Sequence, residues 1–195
     1  MSRDILIVQG HPDASVRHFN HALADAYAEG ARAAGHALRT VDVARLDFPL
    51  LRSKAEWDHG ALPEALRPVQ QDIAWAAHLV FFFPLWLGGM PALLKGLLEQ
   101  VARPGFALSS LDAGSLPKKL LKGRSARLVV TMGMPALVYR WYFRAHSLKA
   151  LERNILGFVG IAPIHETLVG SVEGLDDAGR RRWLARLAAL GRRAG

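Results

Sequence analysis

The sequence predicts an α/β domain built on a doubly wound parallel sheet of five strands, and three observations lead to this prediction. Short apolar runs alternate along the chain with segments of helical periodicity. Two of these runs, 5–8 and 79–83, contain no polar residue, which is the pattern of strands covered on both faces. The 195 residues suit one domain and no repeat divides them, so residues 1–195 are expected to form a single unit.

Strands and helices are expected to alternate along the chain. The predicted strands are 5–9, 37–43, 78–83, 126–131 and 164–169. The predicted helices are 19–34, 63–77, 91–101, 137–158 and 176–191. Gly35 ends the first helix, and Pro91 lies in the first turn of the third, where its missing N–H costs no hydrogen bond. Right-handed crossovers then place helices on both faces of the sheet.

Composition excludes several function classes. With 51% hydrophobic residues the chain is not disordered, and without cysteine it has neither a disulfide scaffold nor a thiolate metal site. We predict no metal site of any kind. Any redox chemistry must therefore come from a bound cofactor.

The net charge of +8, from 25 Lys and Arg against 17 Asp and Glu, would permit a nucleic acid, an anionic membrane or a phosphorylated ligand as partner. Half of this charge lies in residues 176–195, where apolar residues recur at helical spacing. We interpret the arginines there as the solvated face of a docked terminal helix. Nucleic-acid binding is not expected, because the sequence contains no recognised nucleic-acid motif.

One uncharged stretch, 73–94, has 22 residues and is long enough to span a bilayer. Two prolines and two glycines interrupt its centre, which favours a strand, a turn and a new helix over a spanning helix. The apolar run that begins at Ile5 is too short for a signal peptide. We therefore expect a cytoplasmic protein without stable membrane insertion.

Ligands of doubly wound sheets bind at the carboxyl ends of the strands, near the switch in strand order. The loops of interest are therefore those after the first, third and fourth strands, residues 10–15, 84–90 and 131–136. The irregular stretch 103–124 is longer than an ordinary connection, and we predict that it forms an active-site lid.

The first loop precedes a helix whose N-terminal amides and dipole favour an anion. Additional side-chain donors there are His11, Ser15, Arg17 and Asn20, which together indicate a phosphate cradle. An equally good interpretation is that Asp13 or Ser15 only caps the helix and that His11 shapes the turn. The residues alone leave both interpretations open.

The third loop places Leu85, Trp86 and Leu87 beside two glycines. Such a segment can lay backbone amides along the edge of a flat heteroaromatic ligand, or it can be a strand that enters a buried turn. In the fourth loop, Thr131 and Gly133 offer donors directly after a strand.

Tyr139 and His146 lie seven residues apart, and in a continuous helix they share a face on which a phenol and an imidazole could exchange a proton. The alternative, which the residues by themselves favour, is an aromatic packing face that Tyr139 forms with Trp141, Tyr142 and Phe143.

Taken in order, the three loops resemble those of the flavodoxin-like NAD(P)H:quinone oxidoreductases of the DT-diaphorase type. The matching motifs are GHPDAS followed by FN, then FPLWLGGMPALLKG, then a Thr-x-Gly loop followed by Tyr and His. The resemblance extends from Ile5 to about Gly170, and FPLW with PALLKG is its most specific part. It implies a flavodoxin-like fold with strand order 2-1-3-4-5 and a homodimer with active sites at the subunit interface.

The same resemblance implies a bound flavin, with FAD favoured over FMN, NAD(P)H as electron donor and a quinone as acceptor. Hydride would pass through flavin N5 in a two-electron, ping-pong cycle. The resemblance implies three groups of flavin-binding residues. The phosphate part would be held by His11, Ser15, Phe19 and Asn20, where Arg17 also lies, and the ring would be bordered by Pro84, Leu85, Trp86 and Leu87. The N1 and O2 side of the ring would meet Thr131, Met132, Gly133 and Met134. Tyr139 and His146 match the catalytic tyrosine and histidine of the family.

The chain departs from the mammalian members at the positions that sandwich the quinone. Those members have aromatic residues where this chain has Leu87, Gly88, Leu108 and Ser110. Azo and nitro compounds are therefore alternative acceptors. An alternative of another class is a non-catalytic regulatory subunit of a cation transporter, which would dock through the arginine-rich end of the chain.

Overall fold

The computed structural model describes residues 2–109 and 117–195 and contains one parallel sheet in the order β2-β1-β3-β4-β5. This order confirms the predicted fold class. The strands are β1 Asp4–Gln9, β2 Ala37–Asp42, β3 His78–Pro84, β4 Ser125–Thr131 and β5 Ile164–Val169. All five begin within one residue of the predicted positions. The central strands β1, β3 and β4 are buried almost throughout, whereas the edge strands β2 and β5 are partly exposed.

Helices cover both faces of the sheet. They are α1 Phe19–Ala33, α2 Lys54–His59, α3 Arg67–Trp75, α4 Ala92–Val101, α5 Ala136–Trp141, α6 His146–Lys149, α7 Gly157–Val159 and α8 Asp177–Arg193. Successive residues of β1 enter different cores: Ile5 and Ile7 face α1 and α8, whereas Leu6 and Val8 face α3, α4 and the helices after β4. This alternation is what a strand buried on both sides requires.

Helices α1 and α8 touch along their backbones. A Cβ atom on Gly30 would lie 2.0 Å from the carbonyl oxygen of Ala188, and one on Gly191 would lie 2.0 Å from that of Tyr27. Asp176 caps α8 by accepting a hydrogen bond from the N–H of Gly179 at 2.7 Å. The terminal helix is therefore docked as predicted, and five of its six arginines are exposed.

Two helical predictions need correction. The predicted helix 63–77 begins as a 3-10 turn, Glu64–Leu66, and becomes α-helical only as α3. The predicted helix 137–158 is interrupted between α5 and α6, where Arg144 and Ala145 have φ of 53° and 49°, and it continues as the π-helix Ala150–Leu156. Left-handed residues end a helix, and nothing in the residue pattern marks this break because neither residue is a glycine.

The predicted lid 103–124 lies partly outside the described residues, since 110–116, including Ser110, are not described. At its start, Arg103 is buried and its guanidinium donates to the carbonyl oxygens of Glu56, Gly60 and Gln100 at 3.0, 2.8 and 3.0 Å. This anchor fixes the lid's first residues to α2 and α4.

The uncharged stretch 73–94 is divided between the end of α3, β3, a turn and the start of α4. Within residues 2–109 and 117–195, no helix has both the length and the apolar character needed to cross a membrane.

Candidate functional site

A cavity of about 540 Å³ opens where β1, β3 and β4 end, and its volume is in the range of small-molecule sites. It gathers residues from all three predicted loops. Predicted site residues that line it are His11, Arg17, Phe19, Asn20, Pro84, Leu85, Trp86, Thr131, Met132 and Gly133. Predicted residues that do not line it are Ser15, Leu87, Met134, Tyr139 and His146.

His11 is held rigidly in the first loop. Its backbone N–H donates to Oε1 of Gln9 at 3.1 Å, and its Nδ1 accepts from the N–H of Asp13 at 3.2 Å. Its ring stacks on that of His18 with centroids 3.9 Å apart. Burial, followed by the neighbouring His18 and His21, lowers the pKa of His11 to about 4. His11 is therefore neutral at pH 7, and its free Nε2–H can donate to a ligand.

Asp13 engages the donors that the sequence assigned to an anion. Its carboxylate accepts from the N–H and the hydroxyl of Ser15 at 2.8 and 2.5 Å, and it contacts Nε2 of His18 at 2.8 Å. The hydrogen bonds from Ser15 are the main reason that the pKa of Asp13 lies well below its usual range. The alternative that Asp13 or Ser15 caps the helix is wrong, because the N-cap of α1 is His18.

Asn20 joins the first loop to the fourth. Its side chain is only 2% exposed, and its Nδ2 donates to the hydroxyl of Thr131 at 3.2 Å. Its Oδ1 is buried and has no hydrogen-bond partner. A buried acceptor left unpaired costs about 1–3 kcal/mol, so a residue that lines the cavity holds an acceptor that a donor could still satisfy.

Arg180 is fixed at the cavity, although the sequence predicted that it would lie on the solvated face of the terminal helix. Its guanidinium donates to the carbonyl oxygens of Val172 and Leu175, both at 3.2 Å, and lies 5.0 Å from the ring centroid of Phe19. Arg17 also lines the cavity, but it is exposed and paired with Asp25. The sequence feature that could have indicated this role is the position of Arg180 in the first turn of α8, directly after the loop that follows β5.

The third loop forms a tight exposed turn. Trp86 and Gly89 exchange two backbone hydrogen bonds of 2.9 Å, and Leu87 and Gly88 between them have φ of 46° and 78°. Trp86 is 50% exposed and Leu87 fully exposed, so the alternative of a buried turn is wrong. The indole of Trp86 contacts His11 edge to face, with centroids 5.9 Å apart.

The fourth loop keeps backbone donors free. In the described part of the chain, the N–H groups of Gly133 and Met134 donate to no protein acceptor. The loop is fastened to its neighbours by two other bonds, from Leu85 to the carbonyl oxygen of Thr131 at 2.7 Å and from Met132 to that of Val169 at 2.9 Å. Its free amides therefore sit on a fixed backbone.

Tyr139 and His146 do not share a helical face, because the chain breaks between them. Tyr139 is 2% exposed, and its hydroxyl accepts from the N–H of Leu148 at 3.3 Å. Burial is the main reason that its pKa is raised. His146 is exposed. The alternative of an aromatic packing face also fails within this chain, since Trp141 and Tyr142 are 76% and 79% exposed.

A second cavity, of about 520 Å³, lies beside α1 on its β2 side. It is lined by arginines and carboxylates that pair with each other, such as Arg17 with Asp25 and Arg45 with Asp42. It lacks the ends of β3 and β4, and so it does not reach the switch in strand order, which lies between β1 and β3. The first cavity is therefore the candidate site.

The donor set at this cavity fits a flat ligand with a polar edge and an anionic tail. Free amides and an unpaired amide oxygen can meet the polar edge, Trp86 and Phe19 supply apolar surface, and Arg180 supplies a positive charge. Among the residues that the structure describes, no group of three or more His, Asp or Glu side chains could hold a metal ion.

Comparison with known proteins adds independent findings. A family described as "Flavodoxin-like fold" matches residues 3–190. An uncharacterized NAD(P)H oxidoreductase of Haemophilus influenzae is 28% identical over 180 residues, which cover 90% of this chain and 88% of the relative. FMN-dependent NADH:quinone oxidoreductase 1 of a Jannaschia species is 31% identical over 93 residues, 48% of this chain and 46% of the relative. The solved structure of an NAD(P)H:quinone oxidoreductase from Methanothermobacter marburgensis superposes with a TM-score of 0.82 at 24% identity, covering 98% of this chain and 96% of that one.

Proposed function

The chain belongs to the family with the flavodoxin-like fold, and on that premise we propose that it is a flavin-dependent NAD(P)H oxidoreductase that reduces quinones by two electrons. The observation that carries the proposal is Asn20, which lines the cavity at the ends of β1, β3 and β4 and whose buried Oδ1 has no hydrogen-bond partner. Ligands of such sheets bind at that edge.

A bound flavin would supply the hydride chemistry, and the chain would supply position and electrostatics. His11, Phe19 and Asn20 would hold the flavin from the first loop, and Pro84, Leu85 and Trp86 would border its ring. Thr131 and Met132 would line its polar edge, and Gly133 would direct a free N–H group at it. The free amides of Gly133 and Met134 are oriented before the ligand arrives, so that they can stabilise negative charge without reorganisation.

We propose FMN as the flavin, in place of the FAD that the sequence favoured. The Jannaschia relative is named FMN-dependent, which supports FMN. Ser15 would contribute little to the phosphate as long as Asp13 accepts both of its donors.

The roles of Tyr139 and His146 also change. Tyr139 enters the proposal as a positioning residue, because its hydroxyl is bonded to the backbone of Leu148 and its side chain does not line the cavity. His146 would assist proton balance only from outside the cavity. Leu87 and Met134 would act through the backbone of their loops.

We further propose a cytoplasmic homodimer with the active site at the subunit interface. Large exposed apolar side chains gather on the turn after β3 and on α5 and the residues after it: Leu87, Leu137, Trp141, Tyr142 and Phe143. Exposed apolar groups in this number mark interaction surfaces. A second copy would cover them and close the open side of the cavity.

The test is purification followed by an absorbance scan and chromatography of the released flavin. A yellow protein that contains FMN and oxidises NAD(P)H with menadione, giving parallel double-reciprocal lines, is expected. Intersecting lines would contradict a single pocket shared by donor and acceptor. Faster turnover of azo or nitro compounds than of quinones would make those compounds the preferred acceptors. A colourless preparation that takes up neither FMN nor FAD would overturn the proposal.

The regulatory-subunit alternative has its own test. Arg180 is committed to the cavity rim, so the exposed Arg181 and Arg182 are the residues to replace by alanine. Co-purification with a transporter that is lost in this double variant, together with a parent that does not oxidise NAD(P)H, would favour that alternative.

A further inference from the structure

The segment after β5 is fastened onto the loop after β4. The N–H of Ser171 donates to the carbonyl oxygen of Met134 at 3.0 Å, and the N–H of Val172 donates to that of Met132 at 3.2 Å. Gly170 permits this approach, because a Cβ there would lie 2.3 Å from the backbone nitrogen of Ala136. The position of the segment relative to the free amides is therefore fixed by backbone contacts and does not depend on a flexible side chain.

This segment carries a carboxylate to the cavity. Glu173 lies in the 3-10 turn Val172–Gly174, lines the cavity and packs on Gly133, so closely that a Cβ on Gly133 would be 2.7 Å from Oε2. Within residues 2–109 and 117–195, the Glu173 side chain makes no hydrogen bond or ion pair. Its negative charge is not neutralised by a partner, and it lies beside amides that would otherwise favour an anion.

The other charged groups at the same cavity do not neutralise the negative charge of Glu173. The remaining titratable or charged side chains that line it are His11, Asp13, Arg17, His18 and Arg180. Asp13 contacts His18, Arg17 is paired with Asp25, and Arg180 is held by two carbonyl oxygens. Arg180 is thus the cation without a carboxylate partner, and Glu173 is the carboxylate without a cationic one.

We propose that Glu173 sets the redox balance of the site, by placing a negative charge against the negative charge that a flavin gains on reduction. The inference rests on the proposed function. A carboxylate at the cavity wall weakens binding of the reduced flavin, whose ring is anionic, and leaves binding of the oxidised flavin, whose ring is neutral, nearly unaffected. The site would then hold a flavin that passes its electrons on readily.

The variant Glu173→Gln tests this with FMN as the probe. It keeps the size of the side chain and removes the charge. The ratio of the FMN dissociation constants of the oxidised and reduced forms should rise about tenfold in favour of the reduced form, equivalent to about 30 mV for a two-electron couple. Spectroelectrochemical titration measures this shift, and fluorescence titration measures the affinity of the oxidised form. Because Glu173 is exposed, the shift should shrink at high ionic strength.

Glu99→Gln is the matched control, since Glu99 lies on α4, is paired with Lys95 and changes the net charge equally. An upward shift in Glu173→Gln and none in Glu99→Gln supports the proposal. Equal potentials in all three proteins would overturn it, and so would weaker binding of oxidised FMN without a change in potential, which would make Glu173 a hydrogen-bond acceptor for the ligand.

Failure of the proposed function gives a different result. In that case the parent and both variants bind no flavin, and the inference about Glu173 falls with it. A second variant, Glu173→Ala, guards against an effect of the introduced amide, and it should shift the potential in the same direction.

Discussion

The loops after β1 and β4 end at the same edge of the sheet but use their hydrogen-bond donors in opposite ways. In the first, Asp13 accepts from both donors of Ser15, and Arg17 is paired with Asp25. In the second, the amides of Gly133 and Met134 have no acceptor in the described chain. The loop with the more suggestive side chains is largely satisfied internally, whereas the loop with the plainer sequence keeps its donors available.

The difference shows that a donor's type does not reveal whether the donor is free. A carboxylate two residues away can bond to Ser15 more easily than a ligand can, because it is already in place. The loop after β4 contains no carboxylate that could accept from its backbone amides. The carboxylate beside them, Glu173, comes from the segment after β5. Asn20 connects the two loops, so substitutions there and on either side test the comparison.

The largest effect is expected for Asn20→Leu, which removes both the unpaired acceptor Oδ1 and the Nδ2 donor that joins the two loops. Flavin affinity should fall about 100-fold, the equivalent of roughly 3 kcal/mol for a buried hydrogen-bonding group. The apo protein should keep about the stability of the parent, because removal of the unpaired buried oxygen offsets the loss of the hydrogen bond from Nδ2 to Thr131. Fluorescence titration with FMN and urea unfolding of the apo protein measure the two quantities.

Thr131→Val is its control, since it removes the hydroxyl that Asn20 bonds but leaves Oδ1 in place. It should weaken flavin binding less than Asn20→Leu does. If Asn20→Leu binds FMN within threefold of the parent, Asn20 is structural and the proposed function loses its main support.

The next effect concerns pH and compares His11, in the first loop, with His78, at the opposite end of the sheet. Burial is the main cause that lowers the pKa of each to about 4. The unfolded chain, with a histidine pKa near 6.5, therefore binds more protons than the folded chain at pH 5. Stability is fully present above about pH 6.5 and is lost as the pH falls towards 4.

For His78, which is fully buried, the free energy of unfolding should decrease by about 2 kcal/mol between pH 7.5 and 5. His78→Gln should remove that part of the pH dependence, as measured by urea unfolding at both pH values. His11 lies at the cavity, so bound FMN should reduce its part of the dependence and leave that of His78 unchanged. If the free energy of unfolding depends on pH in the same way with and without FMN, His11 does not contact the ligand.

The fold was predictable because it depends on apolar runs. The family match confirms the resemblance that the three loops indicated, and the strand order follows from it. The break between α5 and α6 was not predictable, since Arg144 and Ala145 are ordinary helix formers held in a left-handed conformation by their surroundings. The common face of Tyr139 and His146 failed with it.

The site was predictable only as a set of loops. Pro84, Trp86 and Thr131 converge on the cavity because strand ends meet at one edge of a parallel sheet. Glu173 and Arg180 were missed because they come from the loop after β5 and the start of α8, where the sequence shows a mixed polar and apolar loop before a basic helix. Their placement depends on backbone bonds to the loop after β4, which no local pattern encodes.

A smaller effect is expected for Asp13→Asn, which should make the loop after β1 more like the loop after β4. With the charge removed, Ser15 and His18 become available to a phosphate, and FMN should bind about threefold to tenfold more tightly while riboflavin binding stays unchanged. The ratio of the two dissociation constants isolates the phosphate. Glu99→Gln, which changes the net charge equally at a residue that does not line the cavity, is the control, and an identical gain in both variants would reduce the effect to overall charge.

The smallest effect is expected for Tyr139→Phe, on the far side of the loop after β4. The N–H of Leu148 loses its acceptor, so the free energy of unfolding should fall by about 1 kcal/mol. The cavity keeps its lining, so flavin content should be unchanged and stopped-flow reduction by NAD(P)H should stay within about twofold of the parent, as expected of a residue that only positions the chain after α5. A tenfold slower reduction at full flavin content would instead make Tyr139 a catalytic residue, and it would require that the hydroxyl leave Leu148 when the ligands and the second copy are bound.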